Sequence, residues 1–537
     1  MTFRVNRLLA VPFPALRRLI GLCSLAAALS LSLAPPAAAQ KDTLTIGIQE
    51  NVASLDPAKS YEAMGQGLLH QAYDTLITFA GDNFAEPIPK LAESWDISAD
   101  GLTWTFHLRP GVTFASGNPV NADAVIFSLS RVGKINAGPA YILTQLGIND
   151  KTLTKVDDAT VRMQLNKPYA PGMVFACLAQ WIGMILDRDL VLAHEQNGDL
   201  GSAWLEEHFA GSGRFVLTAQ KRGAFYAFEA NERYWGSKPA FQTLQVKIVQ
   251  EPAEQAMLLT QGELDVAWNL PPDQARALGD KADMRVLQSL TFFIKTLGMN
   301  LSYPPFQKPE VREALRYAVD YDGMIDMILQ GGAEKIQTCI VKGLPGYNPA
   351  TPFAFDPAKA KQLLAAGGYP DGFEVELKTF NYSPWIDMAM KVKTDLAQIG
   401  VNVTISPVKD STEIWDAISN RKVQMYLWEW MHDYPDPDGS VRWFAYSDDT
   451  SENAAFKNLE WMMTYADNAT AQLIDQAMLE RDMEKRLSLY HQITENVLHA
   501  GPHIFLCTPI QYYGVRAEVA DFLQQTAFAM YDFPTIK

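Results

Sequence analysis

Little in this chain of 537 residues can hold it together by covalent bonds. It has four cysteines, and Cys23 falls in an N-terminal segment of export type. Cys177, Cys339 and Cys507 then allow at most one bridge and one free thiol, so disulfides do not support the fold. Excess positive charge is also missing: 45 Lys+Arg stand against 61 Asp+Glu, a net charge of −16. An acidic surface repels phosphate backbones, which excludes nucleic acid and anionic membrane surfaces as natural partners. Beyond the N-terminus no apolar run is long enough to span a bilayer. The longest, Met173–Leu186, has 14 residues, includes Gln180 and reads as core.

Catalytic signatures are absent too. The chain contains no G-x-x-x-x-G-K-[ST] phosphate loop, no G-x-G-x-x-G, no G-x-S-x-G elbow and no H-E-x-x-H. His499 and His503 have the i, i+4 spacing of a metal pair, but Gly501-Pro502 breaks the helix that would align them. Asp433, Asp436 and Asp438 cluster in a Pro/Gly-rich loop, where carboxylates more often shape turns than form an acid–base pair. No catalytic residue, metal or cofactor is expected.

What is present begins with an address. Residues 1–39 carry Arg4, Arg7, Arg17 and Arg18 and no acid, then the apolar run Leu19–Leu33, then Ala37-Ala38-Ala39. That is the plan of a cleaved secretory signal peptide, and the run of about 15 residues is too short for a membrane span. Leu22 before Cys23 is too large for a lipoprotein signal. Export to the periplasm as a water-soluble product is the expectation.

The remainder has ordinary globular composition, 48% hydrophobic and 20% charged, with no repeat, and its length suggests roughly three domain-sized units. Leu44–Ile48 alternates as a strand with one buried face, and Met64–Leu76 has a helical pattern. Short strands with turn signals follow, Thr103–Leu108 and Val156–Leu165 among them. A hairpin is predicted around Lys221-Arg222-Gly223, then strands at Leu244–Val249 and Leu264–Ala267 flanking a helix from Pro252 to about Gly262. From residue 295 onward the pattern becomes α/β. Helices are predicted from Pro309, from Asp356-Pro357, over Trp385–Ile399, over Ser411–Asn420 and as one long helix over Thr470–Leu498. Strands are predicted at Phe373–Leu377, Val401–Ile405, Gln424–Trp430 and Ile504–Val515. Strands alternating with helices imply parallel pairing with crossover helices. The physics therefore gives an α/β protein with two lobes and an inserted β-rich unit, and a cleft where ligands bind in such folds.

Several segments resemble a known family. Leu91-Ala92-Glu93-Ser94-Trp95 and the run Thr103-Trp104-Thr105-Phe106-His107-Leu108-Arg109-Pro110-Gly111-Val112-Thr113-Phe114 are similar to the signature of dipeptide-, oligopeptide- and nickel-type solute-binding proteins of ABC importers, family 5. Asn231–Gly236, Met299-Asn300, Val311–Leu315 and Ile399-Gly400-Val401 match in family order. The resemblance implies a venus-flytrap (periplasmic-binding-protein) fold: lobe I from residues 40–85, 205–294 and 505–537, the inserted subdomain 86–204, and lobe II from 295–504. It also implies a monomer that captures a small solute (a peptide, an opine-like conjugate or another amine) and hands it to the permease subunits of the inner membrane. The signature itself is more simply structural, since Trp104, Phe106 and Leu108 make one buried strand face.

Candidate ligand contacts lie elsewhere. Peptide binders of the family place the Asp of a W-x-x-D motif against the ligand's ammonium, and Trp430 with Asp433 matches it. A carboxylate suits an ammonium through charge-assisted hydrogen bonds, and an indole supplies apolar area or a cation–π face. Tyr61, Tyr382 and Trp385 are the next candidates for cleft walls. The chain departs from the dipeptide binders at Lys378–Tyr382, where they carry an Arg for the ligand's carboxylate; Lys378 cannot supply that planar fork. The competing expectations are an oligosaccharide receptor of the same fold, using some of the 12 Trp for stacking, and a secreted hydrolase using the Asp433/Asp436/Asp438 loop.

Overall fold

A computed structural model describes residues 42–519 apart from positions 50, 51, 82 and 240; the expected signal peptide 1–39 and residues 520–537 of the expected lobe I lie outside the described residues. Strand β1 (Thr43–Ile48) leads into helix α1 (Ala63–Ala72). All but the first residue of β1 are buried, so both faces are covered rather than the one expected. The cause is its place in the sheet, parallel to strands on either side, where helices cover both faces.

The inserted unit follows. A hairpin of β2 (Ile77–Ala80) and β3 (Asn83–Pro89) leads into it across the expected boundary at residue 86, and it goes on with β4 (Ala92–Ile97), β5 (Thr103–Leu108), α2 (Ala122–Ile135), β6 (Leu153–Asp157) and β7 (Thr160–Gln164). The last four strands form an antiparallel sheet in the order β4-β5-β7-β6. The single strand expected over Val156–Leu165 is in fact a tight hairpin. The Asp157 carboxylate accepts the Ala159 N–H at 2.8 Å and turns the chain there. Trp104, Phe106 and Leu108 are buried, as a core-facing strand requires. Two signature segments meet, with the Arg109 guanidinium 4.8 Å above the Trp235 ring, whose N–H donates to Asp74.

The chain then returns to the first sheet through β8 (Phe215–Lys221), β9 (Phe225–Ala230), β10 (Thr243–Ile248), helix α3 (Pro252–Gln261), β11 (Val266–Ala267) and β12 (Met284–Leu290). The second half comprises β13 (Phe293–Met299), α4 (Pro309–Ala318), β14 (Ala333–Lys335), α5 (Pro357–Ala366), β15 (Glu374–Phe380), α6 (Trp385–Ala397), β16 (Asn402–Val408), α7 (Ser411–Ser419), β17 (Met425–Met431), α8 (Pro437–Phe444), α9 (Asn468–Leu479), α10 (Met483–Ala500) and β18 (His503–Arg516). β15 pairs in parallel with β16 and β17 through crossover helices, as the alternation implies. Asp356 and Asp410 cap α5 and α7 with their carboxylates. At the β16 entry, Gly372 and Gly400 both have positive φ, and a Cβ on Gly372 would stand 1.9 Å from the Gly400 carbonyl oxygen. The long helix expected over Thr470–Leu498 is two helices, because Asp482 caps a new start by accepting the Lys485 N–H. Apolar spacing continues across the break since both pieces bury a face.

β18 joins the halves. Its first part pairs with β13, its middle with β14, and Ile510–Arg516 with β12. Beside it the link from β12 to β13 also crosses, and the Thr291 N–H and hydroxyl both donate to the Pro509 carbonyl, at 3.0 and 3.1 Å. Two adjacent extended segments thus form the passage between the halves. Cys177, Cys339 and Cys507 are all free and buried, so no bridge among them restrains it.

The insertion is tied to the first lobe by a buried ion pair. Arg131 on α2 grips Asp56 with both terminal nitrogens, at 2.7 and 2.6 Å, and Ser202 also donates to Asp56 at 2.9 Å. Asp56→Ala strands a buried guanidinium and should cost about 3–5 kcal/mol. Urea denaturation of the mature protein measures this, and a loss below about 1 kcal/mol would contradict it.

Candidate functional site

Strand β17 ends at Met431, and two residues later Asp433 projects into a junction of three units. Its Oδ1 accepts the hydroxyl of Tyr61, from the loop after β1, at 2.7 Å. Its Oδ2 accepts the hydroxyl of Tyr141, from the inserted unit. The indole of Trp443 on α8 stands beside Tyr141 and helps to hold the anion. Residues separated by 372 and 292 positions in the sequence thereby meet on one carboxylate.

Burial raises the carboxyl of Asp433 to about 6, and the two phenols and the indole pull the other way without winning. A carboxyl whose folded value lies above its unfolded value of about 3.9 favours the protonated folded state. Its ionised form therefore weakens the fold above about pH 6, and that strain is relieved as pH falls from 6 toward 4.

A continuous aromatic wall runs from this carboxylate. Tyr141 meets Trp443 edge-on at 6.4 Å between centroids, and Trp443 packs on Trp430 at 4.4 Å. Trp430 also touches Trp415 at 5.6 Å and Trp428 at 6.4 Å. Trp428 leads to Phe380, on which Tyr382 stacks at 5.2 Å. On the other side Tyr61 lies 6.1 Å from Trp181. Of the candidates named from sequence, Asp433 and Tyr61 touch, and Trp430 is one ring removed through Trp443. Tyr382, 48% exposed, stands at the far end of the wall. Trp385 is 5% exposed and its ring face is already taken by the Lys295 ammonium at 3.8 Å, which also pairs with Glu429 at 2.6 Å.

The neighbouring acids have structural roles. Asp436 caps α8 and is held by Arg486 through two hydrogen bonds of 2.7 Å; Asp438 accepts from Arg442 and Tyr434, both at 2.9 Å. His503 is buried against Tyr426 while His499 is on the surface, so the two do not converge. No cluster of metal-binding side chains exists among the described residues. Lys378 bonds Ser406 and lies 3.7 Å from Glu376 on its own strand. Tyr141 and Trp443 were missed by sequence reasoning. Trp443 had a signal, because Asp436-Pro437 starts a helix just after Asp433 and carries the ring back toward it. Tyr141 had none, since only the fold brings it near.

Removing either tyrosine hydroxyl should move the Asp433 carboxyl above its value of about 6, because each donor stabilises the anion. Carboxyl 13C titration of Tyr61→Phe and Tyr141→Phe reads this shift, and an unchanged midpoint in both would refute the hydrogen-bond assignment.

Comparison with known proteins fits this architecture. The family model described as bacterial extracellular solute-binding proteins, family 5 (middle) matches residues 86–452. The chain is 28% identical over 497 residues to a probable D,D-dipeptide-binding periplasmic protein of Escherichia coli, covering 91% of this chain and 92% of that one. It is 29% identical to heme-binding protein A of Haemophilus influenzae, covering 87% and 86%. Among solved structures it resembles a periplasmic binding protein of Helicobacter pylori in complex with the peptide STSA, with a TM-score of 0.77, 26% identity, and 92% and 98% of the two chains covered. This chain belongs to the bacterial extracellular solute-binding proteins of family 5.

Proposed function

We propose that this protein is the exported, periplasmic solute-capturing component of an ABC importer, binding a peptide or another amine-bearing small solute between its lobes and delivering it to the membrane permease. Asp433 takes the ligand's ammonium, Tyr61 and Tyr141 close over it from the first lobe and its insertion, and Trp430 and Tyr382 belong to the wall, whereas Trp385 backs it with its ring face on Lys295. The observation that carries this reading is the inter-lobe contact itself: hydroxyls from one side of the cleft meet a buried carboxylate from the other. Closure requires a ligand that binds the closed state better, because equal affinity for both states shifts nothing. Groups on both jaws meet that need. A micromolar affinity corresponds to about −8 kcal/mol, within reach of one ion pair and a few aromatic contacts.

The protein acts by binding and carries out no chemistry. In the loop on which a hydrolase would depend, Asp436 and Asp438 are each committed to an arginine. The oligosaccharide alternative gains nothing from a raised, buried carboxyl, which points to a cation.

Isothermal titration of the mature protein with a panel of alanyl dipeptides and their amides tests the reading. A charge-assisted hydrogen bond contributes about 1.5–3 kcal/mol, so Asp433→Asn should weaken binding about 10- to 100-fold. Lowering pH from 7.5 to 5 should weaken the native protein about tenfold, because a carboxyl at about 6 is then mostly protonated. Unchanged affinity in Asp433→Asn would contradict the assignment.

A further inference from the structure

The charge balance around Asp433 extends this reading. Its two oxygens accept from two phenols, with an indole alongside, and no ion pair reaches it among the described residues. Adjacent His432 is held neutral, burial pushing its imidazole down to about 3. The other charges of this region occur in pairs: Asp436 with Arg486, Asp438 with Arg442, and Glu429 with Lys295. The Lys295 ammonium is further occupied by the Trp385 ring. The ionised site therefore carries one uncancelled negative charge.

A second, independent observation concerns neutral polar atoms. Gln66 Oε1, Trp181 Nε1 and Trp430 Nε1 are buried and have no hydrogen-bond partner among the described residues. They flank the same site. Gln66 donates through its other amide atom to the Tyr61 carbonyl at 3.1 Å, and the Trp181 ring is 6.1 Å from that of Tyr61. The Trp430 ring packs at 4.4 Å on Trp443, which stands beside Tyr141. Buried polar groups in native proteins find partners, so this set calls for neutral donors and acceptors on whatever is enclosed there.

We infer that the cleft selects its ligand by net charge, taking a solute of charge +1 that presents one ammonium to Asp433 on a neutral, hydrogen-bonding body such as an amide, and discriminating against the zwitterion with a free carboxylate. This rests on the assignment of Asp433 as the ammonium partner. A ligand carboxylate enclosed here loses its water, meets no unpaired cation and shares a low-dielectric space with an existing anion. Indole N–H groups can bond it but cannot cancel its charge. An amide brings no charge of its own, and its carbonyl and N–H are an acceptor and a donor of the kinds that unpartnered indole N–H and side-chain carbonyl groups need.

Titration calorimetry on the full mature protein, freed of carried-over solute, compares three forms of each probe: alanyl-phenylalanine, its C-terminal amide, and the N-acetylated amide, with alanyl-leucine as a second series. The amide should bind at least tenfold more tightly than the free acid, and the N-acetyl amide should not bind. If the free acid matches or exceeds the amide while both are weakened by Asp433→Asn, charge selection is wrong and ammonium recognition stands. If amide binding ignores Asp433→Asn, the ammonium assignment falls and this inference with it. Absence of binding by every member at millimolar concentration also overturns the inference.

Discussion

A carboxylate buried without a counter-cation is expensive, and the site is organised around that expense. Asp433 keeps enough stabilisation from two tyrosine hydroxyls and an indole to ionise near neutral pH, but not enough to behave as an ordinary surface acid. The donors come from three regions that only the folded chain brings together. Contact across the cleft and the electrostatic appetite for a cation are therefore the same physical fact. An ammonium arriving there gains more than it would beside an exposed acid, because water is excluded and the partner is held in place.

The rest of the molecule can be understood as support for that meeting. β18 and the neighbouring link from β12 to β13 make a narrow passage, pinned at the Pro509 carbonyl, so the halves are joined by backbone rather than by a broad interface at that point. Behind Asp433 the buried Arg486 and the half-buried Arg442 lock the next acids of its loop in place. Each such pair costs desolvation, and its merit is a fixed geometry rather than a large net gain. The Arg131–Asp56 pair does the same for the segment leading to Tyr61. The second half also meets the insertion, where the Ala170 N–H donates to the Met478 carbonyl at 2.9 Å and one buried core runs through both, so a ligand-driven population shift acts on that contact as well as on the link.

Sequence carried the fold well where local chemistry is strong. Proline at the first helical turn, an aspartate cap and terminal glycines marked α3 and α5 closely, because these residues act within one turn. It misled where periodicity continues through a break, as between α9 and α10, or where a turn needs only one Asx hydrogen bond, as at Asp157. It also gave β1 one buried face when parallel neighbours bury both. At the site, Trp430 and Asp433 were legible through a short motif. Tyr141 was not, since nothing in a four-residue helix of the insertion announces a partner 292 positions away. Trp385 looked like an open aromatic wall, yet the fold spends its face on Lys295, a cross-element contact that no local pattern encodes.

The most direct measurement is the number of protons released on binding. Calorimetry of an amine-bearing ligand at pH 6, repeated in buffers of different ionisation enthalpy, reads that number without a mutation. With the Asp433 carboxyl at about 6 in the free protein and driven down by an ammonium, about half a proton should leave per binding event. Zero release at pH 6 with intact affinity would show that the ligand's charge does not meet this carboxylate.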